Sequence, residues 1–195
     1  MRVEDFIREL KNATIDNRIR KNIGSGYSVD TCMILYGIGF PNTTQLKNIQ
    51  EWLGEVPLTV YEFILWEALK IINQYLRISW LKNKLFNEKM PYYLKKINER
   101  LEEKLDRPEV RIVDDPRFKR RYFFKKLNSE LYQNLSGESI SETDKKLLIV
   151  SDYENNPIVS TDKNICTLAC RNGIKYVETR TRTKLPLKLE ISQQT

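Results

Sequence analysis

Two spacings of apolar residues alternate along this chain. Where they recur every three or four positions they mark amphipathic helices. Phe6, Ile7, Leu10 and Ile15 stripe residues 3–20. Phe63, Ile64, Ala68, Ile71, Ile72 and Tyr75 stripe a long helix from Tyr61 to about Leu81. Leu94, Ile97, Leu101 and Leu105 stripe another, and further helices are predicted from Ser141 to about Tyr153 and from Asp162 to Arg171. Short apolar runs bounded by breakers mark strands. Tyr27–Asp30, Pro57–Val60, Ile158–Thr161 and Lys175–Glu178 fit that description. Val110–Val113 fits either a short strand or an extended linker. The breakers fall where turns are needed. Asn22 to Gly26 is a loop, and Gly37, Gly39, Pro41 and Asn42 end the apolar run Cys32–Ile38. Thr43 or Thr44 caps a helix through Leu53. Pro91, Pro108 and Pro116 divide the helices of 82–134, and Asn172-Gly173 stops the last helix.

Strands alternate with helices at both ends of the chain, which predicts an α/β fold with a mostly parallel central sheet. The expected organisation is an N-terminal helical extension (1–26), one domain over 27–180 carrying an inserted basic helical region at about 76–137, and an extended tail (181–195). No apolar run approaches the roughly 18 residues of a membrane span. The first ten residues alternate charged and apolar side chains without the apolar core of a signal peptide. Three Cys without regular spacing make no disulfide framework. These features predict a cytoplasmic, reduced protein with no membrane partner.

Composition removes several chemistries. The 195 residues include no His. That excludes Ser-His-Asp and His-paired Cys nucleophiles, a His general base and imidazole metal ligands. The formal charge is +7, and it is regional. Residues 70–134 hold 17 Lys+Arg and 9 Asp+Glu, and the rest of the chain is close to neutral. Lys95 and Lys96 belong to this region. Its densest part, Arg117 to Lys126, interleaves six basic residues with the aromatics Phe118, Tyr122, Phe123 and Phe124. Arg117, Lys119, Arg120, Arg121, Lys125 and Lys126 suit contacts to phosphates, and exposed aromatics suit stacking on unpaired bases. A solvated helix face with its aromatics turned into the core is the equally weighted alternative for the aromatics.

Ligands of such sheets bind at the carboxyl ends of the strands. Asp30 follows the first strand, Glu62 the second and Asp162 the strand Ile158–Thr161, while Asp144 opens the helix leading into that strand. Each is also a position where a helix-capping acid is common. Four carboxylates brought together repel unless a cation joins them. An all-oxygen donor set suits Mg²⁺ or Mn²⁺ and disfavours Zn²⁺. Glu67, five residues beyond Glu62 on the same predicted helix, is expected to point away. Asp152 and Glu154 are expected at the far end of their helix, and Asp114-Asp115 in a turn before Pro116. Cys32, Cys166 and Cys170 are expected to pack in the core.

Four segments resemble the PIN-domain nucleases. They are Tyr27-Ser28-Val29-Asp30-Thr31, Leu58-Thr59-Val60-Tyr61-Glu62, Asp144 with the Leu147, Leu148 and Val150 that follow it, and Pro157-Ile158-Val159-Ser160-Thr161-Asp162 running on to Asn172-Gly173-Ile174. The resemblance covers about half the chain. It implies a three-layer PIN-like fold and an acidic site for Mg²⁺ or Mn²⁺ formed by Asp30, Glu62, Asp144 and Asp162. Thr31, Ser160 and Thr161 would support that site. The implied activity is cleavage of RNA by metal-activated water, in RNA processing or as a toxin-type nuclease matched by a protein inhibitor. Homo-oligomers are plausible for the type. The alternatives are a non-catalytic RNA-binding or assembly protein on the same fold, and a structure-specific DNA nuclease. The N-terminal extension and the long basic insertion depart from small members of the family.

Overall fold

A computed structural model describes residues 26–40, 53–82, 95–97 and 99–179, the side chains of 77–82 and of Arg121 excepted. The helix expected over 3–20, most of the loop at 22–26, the cap at Thr43 or Thr44, Pro91, Leu94 and the tail beyond Thr179 lie outside the described residues.

Five parallel strands form one sheet in the order β3-β2-β1-β4-β5. They are β1 (Tyr27–Val29), β2 (Leu58–Tyr61), β3 (Val110–Val113), β4 (Ile158–Ser160) and β5 (Tyr176–Glu178). The helices are α1 (Thr31–Gly37), α2 (Glu62–Lys82), α3 (Arg121–Leu127), α4 (Ser129–Ser136), α5 (Glu142–Glu154) and α6 (Lys163–Arg171). A 3₁₀ turn (Pro116–Lys119) joins β3 to α3, and a further helical stretch occupies 99–105. The apolar run Cys32–Ile38, left unassigned by its pattern, is helical for most of its length.

Register explains which side chains share a face. Tyr27 pairs with Leu58 and Leu58 with Val110, so Tyr27, Val29, Leu58, Val60, Val110 and Ile112 make one apolar face. Val29, Leu58 and Val60 meet Ile34 and Ile38 at the end of α1 and Leu101 and Leu105 of the 99–105 helix there. The opposite face carries Ser28, Thr59, Tyr61 and Arg111. Here α5 closes over the sheet, because Tyr61 Oη and the Arg111 guanidinium both donate to the Glu154 carboxylate. The sheet is thus sandwiched between two helical layers. Each layer buries an aliphatic row, and a fully buried Leu, Ile or Val contributes on the order of 1.5–3 kcal/mol.

The stretch expected as an inserted helical region is not set apart from the domain. It supplies the edge strand β3, and Phe118, Phe124, Leu131 and Leu135 are buried in the common core. The physical reason lies in Val110–Val113. Their alternate residues Val110 and Ile112 extend the apolar face of β2, which an isolated linker would leave exposed.

Two devices hold the sheet's first strands in place. Gly26 precedes β1 where a Cβ would fall 2.9 Å from the carbonyl carbon and oxygen of Pro57. The Arg107 guanidinium donates to the carbonyls of Leu53, Gly54 and Val56, tying the chain just before β2 to the chain just before β3.

Candidate functional site

The order in which strands are added reverses between β1 and β4: β2 and β3 lie to one side of β1, β4 and β5 to the other. Such a switch point opens a crevice at the carboxyl ends of the two central strands. Asp30 stands there, immediately after β1, and is 1% exposed. Ser28 and Val29 pair with Ile158 and Val159, so the register carries Asp30 alongside Ser160.

That neighbour matters. Ser160 Oγ donates to Asp30 Oδ2, and the Met33 backbone N–H donates to Oδ1 at 2.7 Å, making Asp30 the N-cap of α1. Ser160 Oγ in turn accepts from the Asp162 N–H at 2.9 Å. Both Asp30 oxygens are therefore fixed in direction. Burial pushes the Asp30 carboxyl up to about 7, against the pull of those two hydrogen bonds, and the charges of Asp144 and Asp162 push it further in the same direction.

Asp162 caps α6, its Oδ1 accepting from the Asn164 N–H at 2.7 Å. Asp144 forms a capping box with Ser141, its Oδ2 accepting from the Ser141 N–H and Oγ. The capping role open to each acid is therefore real. It uses one oxygen of each, and among the described residues Asp144 Oδ1 and Asp162 Oδ2 make no hydrogen bond. Burial raises the Asp144 carboxyl, with Glu67 and Asp162 adding to the shift against the Ser141 hydrogen bonds.

Glu67, not Glu62, is the acid of α2 that joins this group. Glu67 Oε2 accepts from Thr31 Oγ1 at 2.5 Å. Glu62 turns toward the sheet's β3 edge. There it accepts from Trp66 Nε1 at 2.7 Å and lies 3.4 Å from Lys119 Nζ. Burial raises the Glu62 carboxyl, but hydrogen bonds from Asp114 and Trp66 and the Lys119 ammonium outweigh it and hold it below the usual carboxylate range. The Asp114 carboxyl is raised in turn by that hydrogen bond to Glu62, by burial and by the Glu62 charge. The expectation that Glu67 points away rested on its five-residue, ~140° separation from Glu62. The separation is real, but it is Glu62 that lies off the pocket. Glu67 was legible as an acid inside the most apolar stretch of the helix, between the buried Ile64, Leu65, Ala68 and Leu69.

Four carboxylates thus lie near enough at the switch point for their charges to act on one another: Asp144 and Asp162 on Asp30, and Glu67 and Asp162 on Asp144. Among the described residues none has a Lys or Arg partner. Cys32, expected in the core, lies half-buried at their edge. Burial and the charges of Asp30, Asp162, Asp144 and Glu67 push its thiol up to about 12. Among the described residues no three acidic or Cys side chains form a ready metal cage. The donor set is nevertheless all oxygen and, among the described residues, uncompensated in charge, which is the chemistry a hard divalent cation requires. Of the supporting residues, Thr31 and Ser160 hold Glu67 and Asp30. Thr161 is half-buried and makes no side-chain hydrogen bond among the described residues.

The basic residues are spread over several elements. Lys95 pairs with Glu99, and Lys96 is exposed on the same helical turn. Arg117 is held by Asp115, and Lys119 reaches Glu62. Arg120, Lys125 and Lys126 are exposed on and before α3 without an acidic partner among the described residues. The Arg121 side chain lies outside the described residues. Asp115 caps the 3₁₀ turn, and Asp152 and Glu154 bind Asn128 and Arg111 away from the site. Among the described residues no helix is long and apolar enough to cross a membrane. No protein-family model and no curated protein matches the chain.

Proposed function

We propose that this chain is a metal-dependent endoribonuclease of PIN-domain type, with Asp30, Glu67, Asp144 and Asp162 as its cation-binding carboxylates. One observation carries the reading. A buried Asp at the carboxyl end of the central strand feels the charges of Asp144 and Asp162, Asp144 feels that of Glu67 as well, and no basic side chain among the described residues neutralises them. Burying like charges together is costly, and a fold retains such an arrangement when a cation completes it.

Held by these four residues, Mg²⁺ or Mn²⁺ would supply a Lewis acid for the phosphoryl oxygen and a water of lowered pKa. The chain's own contribution is orientation. Ser160 and the Met33 N–H fix the two oxygens of Asp30, and Thr31 fixes Glu67. The caps of α5 and α6 aim Asp144 and Asp162. The basic surface beyond β3 offsets the charge of an incoming phosphodiester chain. Glu62, with Asp114 and Lys119, anchors that surface to the sheet edge and stands outside the proposed cation set.

The test is cleavage of a mixed pool of structured and single-stranded RNA in Mg²⁺, Mn²⁺ or EDTA by wild type and Asp30→Asn. Cleavage that needs the metal and is lost in the variant supports the reading. RNA bound but uncut by both proteins under every condition refutes it and favours a non-catalytic RNA-binding role.

A further inference from the structure

The ten residues from Arg117 to Lys126 hold four aromatics, and the fold separates them. Phe118 and Phe124 are buried, and Phe123 packs on both with the Arg117 guanidinium 4.9 Å above its ring. Tyr122 alone of the four is left outside, 53% exposed. Two cations attend it. Arg120 Nη1 donates to its hydroxyl at 3.0 Å, and Lys126, one helical turn on, places its ammonium 5.5 Å from the ring centre. Neither cation, nor the neighbouring Lys125, has an acidic partner among the described residues.

Among the described residues two other tyrosines are exposed. Tyr75 is 43% exposed, with its ring edge-on against Phe40 at 5.1 Å. Tyr153 is 67% exposed at the far end of α5 from Asp144. Tyr122 differs from both in standing between two cations without an acidic partner among the described residues. Its place in the chain adds a further constraint. Lys119, three residues earlier, touches Glu62 at the sheet's carboxyl edge with its ammonium, and the Tyr122 backbone lies within about 11 Å of the Lys119 backbone.

We propose that Tyr122, flanked by Arg120 and Lys126, is a stacking platform for an unpaired base of single-stranded RNA, with the two cations holding the adjoining phosphates. An aromatic ring stacks on any base whose face is free, whereas a duplex hides those faces and offers only its backbone. The ring confers the preference for unpaired strands, and the cations confer affinity without sequence preference. The proposal rests on the reading of the carboxylate cluster as an RNA-cleaving site, and names the substrate class that site receives.

The experiment is binding of a labelled, unstructured oligoadenylate, and of a blunt RNA duplex, to the full chain in EDTA, for wild type, Tyr122→Ala and Tyr122→Phe. A 2-aminopurine version of the oligonucleotide reports stacking by quenching. Tyr122→Ala is expected to weaken single-strand binding about 5- to 150-fold and to relieve the quenching. Tyr122→Phe should keep both within about 2-fold, since a phenyl ring stacks as a phenol does. Duplex binding should be unchanged in all three. Single-strand binding by Tyr122→Ala equal to wild type overturns the platform, and so does an equal loss for strand and duplex. Cleavage in Mn²⁺ separates the two readings. A failed platform with Asp30-dependent cleavage intact leaves the nuclease standing, whereas measured stacking with no cleavage by wild type removes the nuclease and leaves the platform.

Discussion

Replacing Asp30 with Asn should stabilise the metal-free protein at neutral pH, and the gain should vanish in acid. An unfolded Asp ionises near 3.8, whereas the folded Asp30 carboxyl ionises near about 7. The folded state therefore holds a proton that the unfolded state has released across that interval. Asp30 favours folding fully below about pH 4, and that contribution is lost as pH rises through 7. The difference corresponds to about 4 kcal/mol. Asn carries no charge to desolvate. Its Oδ1 still accepts from the Met33 N–H and its Nδ2 donates to Ser160 Oγ, but the Ser160 hydroxyl proton loses its carboxylate acceptor, at about 1 kcal/mol. The net expectation at pH 8 is about 3 kcal/mol in favour of the variant, or about 6–12 °C in Tm for a chain of this size. Thermal unfolding in EDTA from pH 4 to pH 8 measures it. The wild-type curve should fall through this range and the variant's should be flatter. Mn²⁺ should raise the wild-type Tm at pH 8 and leave the variant's unchanged. A variant less stable than wild type at pH 8, by the same margin as at pH 4, would refute the claim that an unneutralised carboxylate is buried at the switch point.

Other substitutions test other parts of the account. Glu67→Gln should reduce RNA cleavage at least a hundredfold in a single-turnover assay, while Glu62→Gln should keep kcat within about threefold, because only the first residue is among the proposed cation ligands; the reverse ranking would return Glu62 to the site. Arg107→Ala should cost about 2–4 kcal/mol, read as a lower urea midpoint with an unchanged slope, since it strips charge-assisted hydrogen bonds from the carbonyls of Leu53, Gly54 and Val56. Gly26→Ala should cost about 1–3 kcal/mol in the same assay, because its Cβ meets backbone atoms of Pro57 and Leu58 that a rotamer change cannot move.

Local pattern carried most of the fold. The alternation of short apolar runs with three-to-four-spaced helices was enough for the parallel α/β sheet, and breakers such as Gly37 and Asn172-Gly173 fall where helices end. What pattern does not contain is a partner. Val110–Val113 reads equally well as a linker, and only its pairing with β2, Leu58 against Val110, makes it a sheet strand. Helix phase was the second gap. The residue after a strand is the natural candidate for a pocket acid, but the rotation with which α2 leaves β2 aims Glu62 at Asp114 and Lys119 and brings Glu67 to Thr31. Asp30, Asp144 and Asp162 were legible because each sits at an element boundary, where position alone fixes the edge of the sheet it occupies. The aromatics of 117–126 were ambiguous for the same reason as Glu67. Only the packing of the 3₁₀ turn and α3 separates the buried Phe118 and Phe124 from the exposed Tyr122.

The central claim is that four carboxylates at the switch point form one cation site, and a Mn²⁺ titration of the full chain, followed by the electron paramagnetic resonance of free Mn²⁺, tests it without knowledge of the RNA. Wild type and Glu62→Gln should remove Mn²⁺ from solution with similar affinity, and Asp30→Asn and Glu67→Gln should bind at least tenfold more weakly. Equal binding by wild type and Asp30→Asn, or no binding by wild type at millimolar Mn²⁺, would contradict the account.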